Sequence, residues 1–520
     1  MNKNNLPIYF SIAIIFGIFV GSFFQFNETT NALFSRKSTS EIKIKRLLDY
    51  IKRDYVDTVN TDKLLDGAIR QILGKLDPHS VYIPKENLQA VTESMQGNFV
   101  GIGVQFRVIK DSITVIQPIK GGPSIKAGIK AGDRILLSNT DTLYNKNLTS
   151  NQIMKFLKGQ PKTDIDLQVY RKTNDSLFTI TITRDKVAIK SVDVAYMIND
   201  AIGYIKLDRF SRTTYTEFKT ALNSLLKKGM TDLVLDLRGN GGGFIDIANK
   251  IVDEFLENKK LIVFTKNNKG EINESFATSK GDFEEGGLYV LIDQNSASAS
   301  EIVAGALQDN DRGTTIGRRS FGKGLVQEEL DLGDGSAVRL TIARYYTPTG
   351  RSIQKPYTKG KKNRYLNESL SRLQNGELIY KDSIKTIDSL QFKTPKGKIV
   401  YGGGGIIPDV FVPIDTTSYL SNFYFNSIQN FAFEFVDNNR KKLAAIHVDD
   451  FIKNYKTEEA YDNYLQRIKD ANPSFKTRKT IKRYLKAAIA SQLYGDEGFY
   501  RIIQTHDKML QKVLELESSN

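Results

Sequence analysis

Three serines, Ser296, Ser298 and Ser300, occupy alternate positions where an apolar stretch becomes helical. Ser298 follows the run LYVLID and begins the pattern SEIVAGALQ, so it is predicted to lie at a helix N-terminus. Free N–H groups and the helix dipole favour an anion there, and the backbone N–H of Ala299 can help to hold an oxyanion. The structural alternative is N-capping, for which serine is among the preferred residues.

A second loop of unencumbered N–H groups is RGNGGG, at residues 238–243. It follows the buried strand pattern TDLVLDL, and its glycines let a substrate carbonyl approach the backbone. This loop is therefore a candidate source of a second oxyanion donor.

A lysine supplies the candidate base. Lys323 lies between two glycines in FGKGLVQ, directly after a strand, which is an unusual place for a solvating lysine. Lysine acts as a general base only when neutral, so its pKa must fall from about 10.4 to roughly 7–8, which burial can achieve. The fold must supply roughly 3–4 kcal/mol for this shift. A serine and lysine pair needs no histidine.

Composition excludes several other chemistries. The chain has no cysteine, so disulfides, thiolate nucleophiles and cysteine-ligated metals are impossible. Its three histidines, His79, His447 and His506, show no metal-ligand spacing, and we predict neither a metal nor a cofactor. His79, in the turn LDPHS, is interpreted as a structural hydrogen-bonding residue, and the other two as surface or packing residues.

The elements that position these groups alternate between strand and helix over residues 188–350. This alternation predicts a layered α/β core with its chemistry at the strand ends. The predicted order is the strand AIGYIKLDRF, the helix TEFKTALNSLLKKG, the strand TDLVLDL, a helix over 245–256, the strand LYVLIDQ, a helix over 298–308 and the strand GTTIGRR.

Short β-like runs from residue 97 onwards resemble a PDZ domain over residues 96–187. GIGV and AGIKAGDRI look like the carboxylate loop and the following turn of that domain, and a helix carries apolar residues at helical spacing. PDZ domains hold a C-terminal carboxylate on the glycine loop and add the peptide as a strand. By this analogy the binding residues are Gly101, Ile102, Gly103 and Val104, with Ile153 and Leu157 lining the side-chain pocket.

Several motifs in order, from about residue 41 to 412, resemble the carboxyl-terminal processing peptidases, also called tail-specific proteases. They are LDPHS, LVLDLRGNGGG, NSASASEIVAGALQD, GRRSFGKGLVQ, RYYTPTGRSIQ and GIIPDV. The family places its lysine 25 residues after the nucleophile, as Lys323 follows Ser298 here. The resemblance implies that Ser298 is the nucleophile, that Lys323 is the base, and that Gln327 orients the lysine. It also implies that the oxyanion donors are the N–H groups of Ala299 and of either Gly241 or Gly242, and the sequence does not decide between the two glycines.

The same resemblance implies an α/β (α+β multidomain) chain with a crotonase/ClpP-like β-β-α protease core. The predicted segments are a signal anchor at 1–26, a helical region at 27–95, the PDZ domain at 96–187, the peptidase core at 188–412 and a C-terminal helical region at 413–520. The family also suggests a homodimer contact through the N-terminal helices around 41–95, although helical periodicity alone equally describes packing within one chain.

The first residues predict export. Residues 6–24 are 19 uncharged residues after Lys3, long enough to cross a bilayer, and a lysine on the short side keeps the amino end inside. We therefore expect anchoring in the bacterial inner membrane, with the catalytic domain in the periplasm. Cleavage after a small residue such as Ala32 is the alternative.

Charge is concentrated in one polar stretch. The chain carries a net charge of +15, and residues 351–400 hold 12 basic and 4 acidic residues. Without aromatic residues interleaved on a folded face, this composition does not indicate nucleic-acid binding. It is interpreted as a solvated basic insertion at about 355–398, with attraction to anionic lipid or acidic protein as the alternative.

Together these features predict an exported serine endopeptidase that binds proteins with free apolar C-termini and hydrolyses peptide bonds with Ser298 and Lys323. Two alternatives from other classes stay open: a catalytically inactive PDZ scaffold, and a crotonase-like acyl-transfer enzyme. Labelling of Ser298 by a serine-directed, mechanism-based probe would separate the three.

Overall fold

The computed structural model describes residues 14–16, 39–416, 420–469 and 473–519. The chain divides into two compact units, Met1–Ile72 and Leu73–Asn520. The first contains helix α1 (Thr39–Asp54) and most of α2 (Thr61–Gly74). Apart from residues 14–16, the predicted signal anchor lies outside the described residues. No helix among the described residues is long and apolar enough to cross a membrane.

The second unit opens with two short elements and a small β-rich domain. The short elements are β1 (Val81–Ile83) and α3 (Lys85–Gln96). The domain contains β2 (Asn98–Gly101), β3 (Val104–Ile109), β4 (Ser112–Pro118), α4 (Pro123–Ala127), β5 (Arg134–Ser138), β6 (Asp141–Thr142), α5 (Ser150–Leu157), β7 (Asp164–Arg171), β8 (Ser176–Thr183) and β9 (Asp185–Ala188). Helix α5 begins with a capping box between Thr149 and Gln152.

Residues 192–346 form the two sheets that carry the catalytic candidates. Their elements are β10 (Val192–Met197), β11 (Ile202–Leu207), α6 (Thr214–Leu226), β12 (Asp232–Asp236), α7 (Ile245–Asp253), β13 (Leu261–Asn267), β14 (Ile272–Phe276), β15 (Gly287–Ile292), α8 (Ala299–Asp309), β16 (Thr314–Gly317), β17 (Leu325–Asp331) and β18 (Ala337–Tyr346). The strands and helices predicted for this region all occur.

The central sheet has the order β10-β11-β12-β15-β16-β21, where β21 is Val410–Phe411. Its strands from β11 onwards run parallel, so their carboxyl ends share one edge. One face packs on α6, α7 and α8 through fully buried residues such as Leu235 and Val303. Removing one such side chain from water contributes about 1.5–3 kcal/mol.

A second, antiparallel sheet was not predicted. It has the order β1-β18-β13-β14, with β17 paired to β18 as a hairpin. The prediction missed it because β14 and β17 are short, polar and largely exposed strands without a continuous apolar run. The hairpin begins two residues after Lys323 and therefore frames the site.

The basic stretch after β18 is folded, which corrects its interpretation as a solvated insertion. It contains α9 (Lys362–Leu366), α10 (Glu368–Gln374), β19 (Gln391–Lys393) and β20 (Ile399–Tyr401). Lys355, Tyr365, Arg372 and Glu377 are buried in it. The sequence did not predict this packing because the buried cations are paired with carboxylates from the same stretch, and a charge count does not reveal such pairs.

The C-terminal region is helical, as predicted. Its helices are α11 (Asn422–Leu443), α12 (Val448–Asn454), α13 (Glu458–Ile468), α14 (Phe475–Ile503) and α15 (Lys508–Glu517). The first four share an apolar core of their own. Helix α15 covers the second face of the central sheet, where Met509 and Val513 pack with Tyr289, Leu291 and Ile316.

Candidate active site

Ser298 lies at the point where the chain leaves the central sheet and enters helix α8. It has φ 58° and ψ −115°, a conformation that an L-residue rarely adopts. The hydroxyl of Tyr345 and the N–H groups of Glu301 and Ile302 donate to its carbonyl oxygen. Its own N–H donates to the Glu301 carboxylate at 2.9 Å. The backbone conformation of Ser298 is therefore fixed from both sides.

The buried carboxylate of Glu301 joins the two loops that carry the candidate serine and lysine. It accepts the N–H of Ser298, the N–H of Gly322 at 2.7 Å and the N–H of Lys323 at 2.8 Å. The Ser320 hydroxyl also donates to it. Burial raises the pKa of Glu301. Glu301 was not predicted from the sequence, although Ser-x-x-Glu before an apolar run is a capping-box pattern that indicates it.

Lys323 has the environment that a neutral lysine requires. Burial, followed by the positive charge of Arg339, lowers its pKa to about 8. Its ammonium donates to Gln327 Oε1 at 2.7 Å, and Gln327 Nε2 donates to the carbonyl oxygen of His79 at 2.7 Å. Gln327 therefore holds the end of the lysine side chain and is itself held by the backbone before β1.

Tyr345 was also not predicted, and it contacts the backbone of both candidate residues. Its ring is buried, and its hydroxyl contacts the carbonyl oxygens of both Ser298 and Lys323. Burial raises its pKa, so the phenol stays protonated at neutral pH. No local spacing indicates this role, because the three residues meet only through the antiparallel sheet.

The glycine loop contacts Ser298 directly. A Cβ on Gly242 would lie 2.7 Å from the carbonyl oxygen of Ala297 and 2.7 Å from the Ser298 Cβ, at a φ of +99°. The N–H of Gly242 donates to Asn240 Oδ1 at 2.8 Å, whereas that of Gly241 has no acceptor among the described residues. The N–H of Ala299, the first residue of α8, likewise has no described acceptor.

Ser296 and Ser300 hold the serine loop against the glycine loop. The Ser296 hydroxyl donates to the carbonyl oxygen of Leu237 at 2.8 Å, and the Ser300 hydroxyl donates to that of Asn240 at 2.9 Å. Both serines are fully buried. Of the three alternate serines, Ser298 alone lines the cleft.

His79 lies half-buried beside the site and is neutral at neutral pH. Burial, followed by the charge of Lys323, lowers its pKa to about 3. Its ring nitrogen Nε2 lies 2.8 Å from the hydroxyl of Tyr365. Its backbone N–H donates to the Asp77 carboxylate. This agrees with its interpretation as a structural hydrogen-bonding residue.

The predicted catalytic residues meet in one cleft of about 400 Å³. Its walls combine the glycine loop, the start of α8, the end of α3 and one face of the β17–β18 hairpin. The predicted residues that line it are Gly241, Gly242, Ser298, Ala299, Lys323 and Gln327. In this structure the ammonium of Lys323 is bonded to Gln327 and not to Ser298. Catalytic hydrogen bonds commonly form only once substrate is bound.

A second groove of about 300 Å³ lies in the β-rich domain between β3 and α5. Of the predicted residues, Ile102, Gly103, Val104 and Leu157 line it. Ile153 does not. Its side chain is fully buried in the domain core, one helical step away from the groove, and the neighbouring Met154 lines the groove instead. Gly101 ends β2 and forms an isolated bridge with Lys158, another residue of the groove.

Family models match most of the chain in order. The N-terminal domain of the activating protease CtpB matches residues 24–87, a PDZ domain matches 100–182, and peptidase family S41 matches 201–360. Residues 419–495 match a family of unknown function.

Relatives agree with these models. A carboxy-terminal-processing protease of Bartonella bacilliformis is 39% identical over 313 residues, which are 59% of this chain and 71% of that protein. A probable CtpA-like serine protease of Staphylococcus aureus is 33% identical over 347 residues, 66% of this chain and 68% of that protein. Among solved structures, a photosystem II D1 C-terminal processing protease is 26% identical with a TM-score of 0.37, covering 72% of this chain and 87% of that one.

A PDZ domain followed by a family S41 core, with a serine and a half-buried lysine in one cleft, defines a serine-type peptidase. This chain belongs to the carboxyl-terminal processing peptidases of peptidase family S41. The predicted family, fold class and enzyme class are thereby confirmed, and its ligands are peptides.

Proposed function

We propose that the protein is an endopeptidase in which Ser298 and Lys323 act as a catalytic dyad. The observation that carries this proposal is the meeting of Ser298 and Lys323 in one cleft, where burial lowers the pKa of Lys323 to about 8. A base with a pKa near the working pH takes and returns a proton efficiently.

The reaction balances with these two side chains. As Ser298 Oγ bonds to the substrate carbonyl carbon, its proton passes to neutral Lys323. The resulting ammonium then gives that proton to the leaving amine as the C–N bond breaks, which leaves an acyl-enzyme. Water, deprotonated by Lys323, hydrolyses the ester and restores Ser298. Gln327 keeps Nζ in place through both halves.

Ala299 and Gly241 are the proposed oxyanion donors. Their N–H groups have no acceptor among the described residues, whereas that of Gly242 is already bonded to Asn240. Developing negative charge on the carbonyl oxygen is stabilised by such preorganised donors. Gly242 contributes instead by its lack of a side chain, since a Cβ there would collide with the serine loop.

The groove of the PDZ domain is the proposed site for substrate C-termini. Its walls are apolar around Val104, Met154 and Leu157, and Gly103 has the left-handed φ of a carboxylate loop. Lys158 adds a positive charge, held near Glu93 by an ion pair. These features favour a peptide with a free carboxylate and an apolar last residue.

Export and membrane anchoring remain part of the proposal and rest on the apolar residues 6–24 and Lys3. The resemblance to the family adds a homodimer through the N-terminal helices. Protease treatment of spheroplasts tests the topology, since it should digest a periplasmic catalytic domain. An untouched chain would contradict export.

A fluorophosphonate probe tests the dyad on the purified protein. We expect a single adduct, mapped to Ser298 by peptide mass spectrometry, and peptide hydrolysis that disappears in Ser298→Ala and in Lys323→Arg. Guanidinium does not deprotonate, so arginine cannot replace the base. An adduct elsewhere, or turnover by Lys323→Arg, would refute the assignment, and hydrolysis of acyl-CoA instead of peptides would favour the acyl-transfer alternative.

A further inference from the structure

The β17–β18 hairpin carries a row of polar side chains away from Lys323 along the cleft. Gln327 is opposite Thr341 in the register, and Glu329 is opposite Arg339. Residues two apart on a strand share a face, so Gln327, Glu329 and Arg339 face the same side. All three line the cleft that contains Ser298.

Among the residues that the structure describes, Arg339 and Glu329 are the only charged residues that line this cleft besides Lys323. The remaining lining residues are glycines, apolar residues such as Phe244 and Ile302, and uncharged polar residues. A charged pair in such a cleft will discriminate between charged and uncharged peptide side chains.

Arg339 has hydrogen-bond donors that its pair with Glu329 does not use. Its Nη2 donates to Glu329 Oε2 at 2.8 Å, and its Nε and Nη1 have no acceptor among the described residues. The two side chains are 29% and 36% exposed, so solvent and ligand reach both. A guanidinium binds a carboxylate best through two parallel hydrogen bonds, which this single contact does not provide.

The position of Lys323 relates Arg339 to the leaving fragment of a substrate. If Lys323 protonates the leaving amine, the released fragment starts beside Nζ, and a fragment that follows the β17–β18 hairpin passes Gln327 and then reaches Arg339. The charge of Arg339 is the second cause of the lowered pKa of Lys323, after burial, in keeping with this proximity.

Resting on the proposed Ser298–Lys323 mechanism, we propose that Arg339 binds a carboxylate of the leaving fragment and thereby selects substrates with negative charge after the scissile bond. The carboxylate belongs either to an Asp or Glu side chain or to the substrate's own C-terminus when the fragment is short. Glu329 holds the guanidinium in the empty cleft and is displaced by the substrate. A purely structural cross-strand ion pair is the competing explanation.

The test compares matched peptides in the full-length protein. One series carries Asp or Asn at each of the first three positions after the cut, and a second carries a free or amidated C-terminus two to six residues after it. For each pair, the readout is the ratio of kcat/KM values. Arg344→Gln is the matched control, because Arg344 is exposed on the same strand but does not line the cleft.

We expect the wild type to prefer the carboxylate at one position by roughly tenfold, equivalent to about 1.4 kcal/mol. Arg339→Gln should bring that ratio close to one, Arg339→Lys should keep part of it, and Arg344→Gln should leave it unchanged. Glu329→Gln should raise it, since a competing carboxylate is removed. The series that responds identifies the source of the carboxylate.

Two results would overturn this proposal. One is a wild-type ratio near one at every position; the other is a ratio that survives in Arg339→Gln. An effect of Arg339→Gln on the pH profile alone would assign the arginine to tuning Lys323 and would also reject substrate binding. Labelling of Ser298 by the fluorophosphonate probe in every variant keeps these outcomes separate from a failure of the dyad itself.

Discussion

At the scale of single residues, the proposed base is a lysine that the fold shields in part from water. Lys323 has a pKa near 8 because burial disfavours its ammonium form, and Arg339 adds to the effect. Only the neutral amine accepts the Ser298 proton. We therefore expect kcat/KM to rise with pH and to level off above about pH 8, measured between pH 5.5 and 10 with an uncharged peptide.

Gln327 offers a matched change for this profile. Gln327→Glu places a carboxylate beside Nζ, which favours the ammonium and should move the midpoint to higher pH. Gln327→Asn keeps the charge and should lower the rate without moving the midpoint upwards. If Gln327→Glu leaves the midpoint unchanged, the pH dependence of kcat/KM does not come from Lys323.

Sequence reasoning found the catalytic candidates at this scale and missed the residues that hold them. Ser298, Lys323 and Gln327 lie in local motifs whose residue types suggest chemistry. Glu301 and Tyr345 act through contacts with backbone groups 22 residues away along the chain. Such contacts exist only after two loops and a second sheet have come together, so no local spacing records them.

At the scale of elements, the glycine loop and the serine loop form one surface without space for a methyl group. Gly242→Ala should lower the activity at least tenfold and reduce the melting temperature, because its Cβ meets backbone atoms at 2.7 Å and 2.9 Å, and its φ is +99°. Gly241→Ala is the structural control for the melting temperature, since a Cβ there has nothing within 4 Å. Equal melting temperatures of the two variants would contradict this view of the loop.

The basic stretch fixes the loop before Lys323. The guanidinium of Arg372, in α10, donates to the carbonyl oxygen of Ser320 at 2.8 Å and pairs with Glu368 and Glu377. Arg372→Ala removes a buried charge from a paired network, and we expect a loss of about 3–5 kcal/mol in the free energy of unfolding. Activity should fall as well, because Ser320 also donates to Glu301.

Urea unfolding followed by circular dichroism measures the first effect, and peptide hydrolysis in dilute urea measures the second. Lys385→Ala is the control, since Lys385 is an exposed lysine of the same stretch. If both variants unfold at the same urea concentration, the stretch does not hold the loop. The sequence could not show the difference between these cations, because a buried, paired arginine and a solvated lysine have the same formal charge.

At the scale of the whole molecule, the C-terminal helices contact both the PDZ domain and the central sheet within the second unit. Asp437 of α11 is buried and accepts from Arg134 of the PDZ domain at 3.1 Å. Asp507, before α15, accepts from Arg238 at 2.6 Å, next to the glycine loop. The C-terminal region therefore fixes the PDZ domain with respect to the core, a role that no motif in residues 413–520 predicted.

We expect Asp437→Lys to release the PDZ domain from this contact, since it adds a third cation beside Arg134 and Lys172, which both pair with Asp437. Hydrogen exchange measured by mass spectrometry should speed up in α11 and in the strand that carries Arg134. The double variant Asp437→Lys with Arg134→Asp should slow it again, because the pair is restored with reversed sign. Unchanged exchange in the single variant would contradict the contact.

Substrate selection also belongs to this scale, because the groove that would bind a tail is separate from the cleft that would cut it. Amidating the C-terminus of a long substrate, or replacing its last residue by aspartate, should lower kcat/KM by roughly tenfold or more, equivalent to about 1.4 kcal/mol. The cleavage site must lie far from the C-terminus, so that the terminal carboxylate cannot reach Arg339. If free and amidated substrates were cleaved equally well, tail recognition through the PDZ domain would be rejected.

Helix α15 also limits how this enzyme can be taken apart or recombined. Its residues Met509, Leu510 and Val513 cover Tyr289, Leu291 and Ile316. One of the two apolar faces of the central sheet is therefore buried by a segment nearly a hundred residues downstream of β21. A chimera with another C-terminal segment after β21 would contain every catalytic candidate, but that face of the sheet would be exposed to water. Transfer of the core between proteins of this family thus requires that α15, or a helix that replaces it, is transferred together with the core.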